Sequence, residues 1–284
     1  MQGADEGGGL RRETLGEFAV ARVARLYPLH LLTLVACALM FASDPANTVT
    51  AFIAHLIMAQ AFVQPVAHTF NGPSWSISVE VVCYVLFALG AVGGKRTLKW
   101  VTIFAISAAL VHFVVQGRPG GPWVGDGLPR GLLGFFLGLA MWMHRERLAL
   151  TSTSLVVCFV LFGLALDTGS MSSVLPLSLY AWPGLLLLSL RMPWMGSAPM
   201  RWLGDRSYAI YLIHAPLLMV AERHLPKLPG DLSTVLLVTM AIAVTVLVLS
   251  DLSFRLVETP ARKAIRAAWA RRSGGDESQG VQAA

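Results

Sequence analysis

The sequence predicts an all-α fold: a polytopic integral membrane helix bundle of about eight transmembrane helices, plus one short re-entrant or interfacial helix. Three observations predict it. Of the 284 residues, 55% are hydrophobic and only 13% charged, with a mean hydropathy of +0.64, whereas an ordinary soluble domain is nearer a quarter charged. Runs almost free of charge recur eight times, each close to the ~20 residues that a tilted spanning helix needs once its polar ends are counted. Basic residues fall on alternate connections between those runs, so the net charge of +6 points to a membrane and not to nucleic acid.

Residues 1–17 are Gly-rich and polar and are expected to be disordered. They hold no apolar stretch before Val20, so no cleavable signal is expected and insertion falls to the spans themselves. The eight runs cover residues 29–42, 79–92, 98–115, 132–143, 155–166, 174–190, 210–220 and 235–250. All but four of the 22 basic residues sit before the first run or after the even-numbered ones; Arg118, Arg130, Arg223 and Lys227 are the exceptions. The positive-inside rule then places the N-terminus, the even-numbered connections and the C-terminus in the cytoplasm.

Residues 49–63 are apolar enough to count as a ninth span. If they crossed, Lys95 to Lys99 would lie outside and every later connection would invert, so they are expected to form a short helix or re-entrant segment on the outer side. The stretch GRPGGPWVGDGLPR (117–130) reads as an external loop on its Gly and Pro content. RMPWMGSAPMRWLGDR (191–206) reads as a cytoplasmic loop with Trp194 and Trp202 at the interface. After Glu258, TPARKAIRAAWARR has the pattern of a basic amphipathic helix on the inner leaflet, with Pro260 in its first turn. A polar tail, expected to be disordered, follows at 273–284. Residues 18–272 are expected to form one domain, without a repeat of fixed period. Cys37, Cys83 and Cys158 lie inside apolar runs at no metal-ligand spacing and read as small core residues.

Ionisable groups inside spans carry the functional expectations, because each costs about 2.5–3.5 kcal/mol to insert. Glu80 opens the second span in NGPSWSISVEVVCYVLFAL, with Ser76 at i−4 and Tyr84 at i+4 on one face. It could serve as an acceptor for the hydroxyls of Ser74 or Ser76, or take part in substrate binding or proton transfer. Arg22 and Arg25 share a face at the start of the first span, where they suit either anchoring at inner headgroups or a grip on an anionic ligand. His214, in DRSYAIYLIHAPLL, reads as a packed neutral core residue or a catalytic one. His30 and His112 read as isolated and His68 as a loop residue. No metal-ligand cluster, phosphate-cradling Gly loop, GxSxG or nucleic-acid motif is present.

Four segments in order, ARVARLYPLHLLTL, PSWSISVEVVCYVLF, LGDRSYAIYLIHAPLL and SFRLVETPARK, resemble the acyltransferase 3 family of bacterial membrane O-acyltransferases, whose patterns run RxxRxYPxY, WSLSVEExFY, LGxxSYxxYLxHxPL and SxxxxExPxRR. The resemblance implies an enzyme of the bacterial inner membrane. Such an enzyme moves an acyl group, commonly acetyl, from cytoplasmic acyl-coenzyme A to a hydroxyl of a sugar, surface polysaccharide or glycosylated metabolite, with acyl-coenzyme A as cosubstrate and no metal or other cofactor. It implies donor binding by Arg22 and Arg25 and places Trp75, Ser76, Ser78, Glu80 and Tyr84 on the acceptor side.

Val81 stands where many relatives carry a second Glu. Nothing before Ala21 resembles the two helices with which family members usually begin, the first of which carries the His taken as the base. The resemblance therefore leads to the expectation that this chain starts near the third family helix, and that either its natural N-terminus lies further upstream or the protein is inactive alone. A sugar hydroxyl attacking a thioester needs a base, and Glu80 and His214 are the candidates that remain. A transporter or flippase for an acylated or lipid-linked sugar is the alternative reading, since intramembrane Glu, His and Arg also line such paths.

Overall fold

The computed structural model describes residues 12–63, 65–116, 126–166, 174–224 and 231–280. Among them there is no strand. In chain order the helices are α1 (Arg12–Met40), α2 (Val49–Leu56), α3 (Trp75–Val92), α4 (Gly94–Gln116), α5 (Gly127–Met143), α6 (Arg145–Ala149) and α7 (Thr153–Ala165), followed by α8 (Val174–Pro176), α9 (Trp182–Ser189), α10 (Ala198–His224), α11 (Leu232–Ser253) and α12 (Thr259–Gly280). Wide π-helical turns at Leu177–Ala181 and Phe254–Glu258 join α8 to α9 and α11 to α12 without a break. Side-chain caps start three of the helices: Thr48 accepts from Ala51 N, Ser152 from Leu155 N and Asp231 from Thr234 N, each satisfying a free N–H of a first turn.

Four helical stretches are long and apolar enough to cross a membrane: Thr14–Met40, Gly72–Val92, Gly94–Gln116 and Leu232–Arg272. Three shorter apolar helices, Gly127–Met143, Thr153–Ala165 and Leu177–Ser189, coincide with three more of the eight runs. The seventh run lies in α10, which also carries Arg201, Asp205 and Arg206. α11 leaves Leu237 70% and Met240 64% exposed, a surface suited to lipid. The chain is a multi-pass membrane protein. At eight residues, α2 is roughly 12 Å long, too short to span.

Cα packing divides the chain into two compact units, Trp75–Trp202 and Arg12–Ser74 with Leu203–Ala284. In the first, α3, α4 and α5 pack on one another, and α7 packs on α9 and its π-turn. Ala109, Phe113 and Leu133 form a core between α4 and α5. Lipid tails are as apolar as Leu, so close approach counts for more than hydrophobicity here. A Cβ on Gly163 of α7 would stand 2.6 Å from the Ala181 N in the π-turn, so only glycine permits that contact.

In the second unit α1 packs on α2, α12 and the Phe254–Glu258 turn, and Leu34, Cys37, Phe41, Ala51, Ala54, Val66 and Phe70 form its core. Pro216 lies inside α10 and has no N–H to give to the carbonyl of Leu212. Asn71 Nδ2 donates to that carbonyl instead, at 2.9 Å, so a side chain from elsewhere repairs the proline gap.

Several local expectations change. α1 starts at Arg12, inside the stretch expected to be disordered, because its first turns are packed: Trp269 of α12 lies so close to Gly16 that a Cβ there would stand 2.5 Å from the ring. α12 runs to Gly280, into the expected tail. α10 begins at Ala198 and takes in half of the expected 191–206 loop, and α5 begins at Gly127, while 117–125 lies outside the described residues, as do 1–11 and 281–284. Cys37 and Cys83 are buried, but Cys158 is exposed on α7. Thr153–Ala165 is apolar around its whole circumference, so burial cannot be read from its composition.

Candidate functional site

The short elements between α1 and α3 are held by a buried polar cluster. His30 Nε2 donates to the His55 carbonyl at 2.7 Å, and the two rings stack with centroids 6.4 Å apart. Thr69 Oγ1 donates to the Val66 carbonyl at 2.7 Å, so the His55 Nε2–H, 3.0 Å away, is the donor to Thr69 Oγ1. That tautomer leaves Nδ1 to accept from Ser74 Oγ at 3.3 Å. Gln60 Nε2 donates to the Ser74 carbonyl at 2.7 Å, and Tyr211 to the Pro73 carbonyl at 2.7 Å. His30 is therefore not isolated, and His55 is a hub that the sequence reading missed, since its partners Val66, Thr69 and Ser74 are 11–19 residues away. His55 lies outside the spanning helices, and burial pushes its pKa down from the ordinary 6.5 to about 4.

In the Trp75–Trp202 unit, one end of α3, the start of α5 and the Leu177–Ala181 turn line an open cavity of about 470 Å³, within the range of small-molecule sites. Trp75, Ser76, Glu80 and Tyr84 line it from α3, spaced by helical periodicity. Tyr84 donates its hydroxyl to Glu80 Oε1. Its ring meets Phe135 edge to face at 5.8 Å. The sequence reading missed Gly127, Arg130, Gly131 and Phe135 from α5 and Ser178 from the π-turn, which complete the wall. α5 can press so close because Gly127 faces the Trp75 ring, where a Cβ would stand 2.7 Å away, and Gly131 faces Val79. Ser78 is 1% exposed and is not part of the lining; it points to the opposite side of α3 from Ser76 and Glu80, as a two-residue step on a helix demands.

In the other unit, charged side chains gather where α1 meets the second π-turn. Arg25 is exposed on α1, and half-buried Arg22 lies with its guanidinium 5.2 Å from the Phe18 ring. Arg206 donates from Nε to Asp251 at 2.6 Å, and Arg255 to the same carboxylate at 2.8 Å. Glu258, in the π-turn, is 1% exposed. Its Oε2 accepts from Arg262 Nη2 at 2.7 Å, and Arg25 and Arg206 act on it electrostatically. In the sequence Glu258 fell within the SFRLVETPARK resemblance but was given no role, and Arg206 was read only as a basic loop residue. The available signal was a carboxylate placed among basic residues directly after an apolar run.

His214 Nδ1 lies 3.2 Å from the carbonyl of Ile210 in its own helix, with the ring 5.9 Å from Tyr211. It does not line the α3–α5 cavity. His112 is paired to buried Asp126 at 2.9 Å, so it too is not isolated. Among the described residues no group of His, Cys, Asp and Glu is arranged to hold a metal ion.

Residues 7–253 match the family model described as "Acyltransferase domain". A 65-residue stretch is 38% identical to peptidoglycan O-acetyltransferase OatA of Listeria monocytogenes, covering 23% of this chain and 10% of that protein. No solved structure matches the chain.

Proposed function

The chain belongs to this acyltransferase family, and from that membership we propose that it transfers an acyl group, acetyl in the simplest case, from acyl-coenzyme A to a hydroxyl of a sugar in a surface polysaccharide or glycosylated metabolite. The observation that carries the acceptor half is the cavity lined by Trp75, Ser76, Glu80, Tyr84 and Arg130. An indole to stack on a sugar ring, beside a carboxylate, hydroxyls and a guanidinium to bond its hydroxyls, suits a carbohydrate. The stretch similar to a peptidoglycan O-acetyltransferase supports the same class of acceptor. The chain spans only about a tenth of that relative, so a polymeric acceptor belongs to the proposal and not to the match.

Glu80 is the group placed to take the hydroxyl proton. Its carboxylate faces the cavity and is fixed by Tyr84, whereas His214 turns one ring nitrogen to its own helix. Arg22 and Arg25 would hold donor phosphates at the cytoplasmic face, since guanidinium forks match phosphate oxygens. Eight spans with both ends in the cytoplasm of the bacterial inner membrane complete the proposal. It is supported by the partition of basic residues and by the helices that underlie all eight runs. In that arrangement Arg22 and Arg25 sit at the cytoplasmic end of the first run, on the side of the donor.

The test is purified protein in bilayer discs with radiolabelled acetyl-coenzyme A and peptidoglycan or polysaccharide fragments. Acceptor-dependent release of coenzyme A with label on the sugar is expected with Glu80 as the base, against the expectation from the resemblance that the chain is inactive alone. Uptake of labelled sugar into vesicles without release would favour a transporter and overturn the assignment.

A further inference from the structure

Glu258 is out of place as a stabilising group. It is buried to 1% exposure, in a chain that already pays little for apolar residues at helix contacts, and its pairing is half made. Oε2 takes one bond from Arg262 Nη2. Oε1 and the Arg262 Nε, the two atoms that would close the second arm of a fork, are buried without a hydrogen-bond partner, as are the hydroxyls of Ser250 and Ser253 on the adjoining turns of α11. Four incompletely satisfied polar atoms on one short stretch are costly to keep, and each calls for an explanation. A fully apolar staple would hold the helices as well or better.

The surroundings supply a reason for the carboxylate. α1 packs directly on the Phe254–Glu258 turn and on α12, which brings exposed Arg25 within electrostatic reach of Glu258. Arg206 is already held by Asp251 at 2.6 Å. The π-turn matters because it inserts a wide turn exactly where Glu258 sits between α11 and α12, and such turns re-aim side chains relative to the helix on either side. Arginines Arg25, Arg206 and Arg262 outnumber the carboxylates Asp251 and Glu258, so the cluster keeps positive charge after its internal pairs are made. Although its Nε is buried, the Arg262 side chain as a whole is 26% exposed, which leaves part of it open to a phosphate oxygen.

We propose that Glu258 is the positioning residue of the donor site: its carboxylate holds Arg262 and Arg25 in the orientation that receives the phosphate groups of acyl-coenzyme A. The inference rests on the assignment of Arg22 and Arg25 to the donor. It adds Arg262 as a third phosphate-facing arginine and gives the buried carboxylate a purpose.

The experiment measures binding of acetyl-coenzyme A and of acetyl-pantetheine, which has no phosphates, to the full chain in bilayer discs, with a thermal melt of every variant. Glu258→Gln should weaken acetyl-coenzyme A binding at least tenfold and leave acetyl-pantetheine within twofold, while Glu258→Asp, which keeps the charge, should recover most of the loss. A merely structural role would weaken both ligands together, in proportion to the fall in melting temperature, and would sink the proposal. Should Glu258→Gln not fold, the neutral pair Glu258→Gln with Arg262→Gln is compared with Arg262→Gln alone: a further selective loss, through Arg25, is expected, and equal binding in the two would sink the proposal. Unchanged acetyl-coenzyme A binding in Glu258→Gln, alongside weakened binding in Arg22→Ala/Arg25→Ala, rejects the role of Glu258 and keeps the donor assignment. Unchanged binding in both rejects the donor assignment itself.

Discussion

Asn71 shows how a single side chain answers a defect written elsewhere in the chain. Its amide fills the bond that Pro216 cannot make, so Asn71→Asp, which loses the donor and adds a charge at a buried position, should destabilise the protein by roughly 1–3 kcal/mol, visible as a lower detergent melting temperature. A melt equal to that of the parent would show that water repairs the gap instead. In the cavity, Glu80→Gln should lower kcat by about 10²- to 10⁴-fold, the usual worth of a positioned base, with a smaller change in the KM for the acceptor. Tyr84→Phe removes only the bond that fixes Glu80 and should have the milder effect. Equal loss in KM and none in kcat for Glu80→Gln would make it a binding group. His55 supplies a pH dependence. Its folded pKa of about 4 lies below its ordinary 6.5, so between those values the unfolded chain binds more protons. The stabilisation is therefore complete above pH 6.5 and is lost as the pH falls toward 4. By pH 5 it should amount to about 2 kcal/mol lost relative to pH 7.5, read from melts at the two pH values.

At the scale of elements, the sequence reading was accurate where composition dictates structure and failed where packing does. All eight charge-poor runs lie in helices, because backbone polar groups in lipid have no other partner. The Arg201–Arg206 stretch looked like loop because of its Gly, Pro and charges, yet it is helical, with Arg206 tied to α11 through Asp251. The π-turns were not legible at all, since nothing in LSLYA or FRLVE distinguishes a wide turn from an ordinary one. In the cavity, the α3 face Trp75, Ser76, Glu80 and Tyr84 could be read by periodicity, whereas Arg130 and Ser178 arrive from elements much further along the chain. Their contribution depends on α3 and α5 meeting at Gly127 and Gly131. Gly131→Leu should drive the helices apart, costing about 1–3 kcal/mol as an overpacked contact, and should raise the KM for the acceptor more than it lowers donor affinity. A matching loss of donor affinity would mean that the whole fold, not the α3–α5 contact, had been damaged.

For the whole molecule the open question is orientation, and it decides the chemistry. Long apolar helices establish that the chain crosses the membrane, but helices alone do not say which end faces which side. The proposed orientation rests on the charges: with 18 of the 22 basic residues on one set of connections, inverting the protein would move most of its positive charge across the bilayer against the positive-inside bias. The short α2 keeps this parity intact, because a ninth crossing between α1 and α3 would reverse every connection after it. The prediction can be tested in a variant with Cys37, Cys83 and Cys158 replaced, the last because it is exposed and would itself react. A single cysteine at Ala46, exposed after α1, should react with a membrane-impermeant maleimide in intact cells; one at Arg201, exposed near the start of α10, should react only after permeabilisation. The reverse pattern would put Arg22 and Arg25 outside, away from any cytoplasmic acyl-coenzyme A, and the donor assignment would fall with the topology. Labelling of both positions in intact cells would mean that the chain between them crosses an even number of times, and α2 would then have to be reconsidered as part of a crossing.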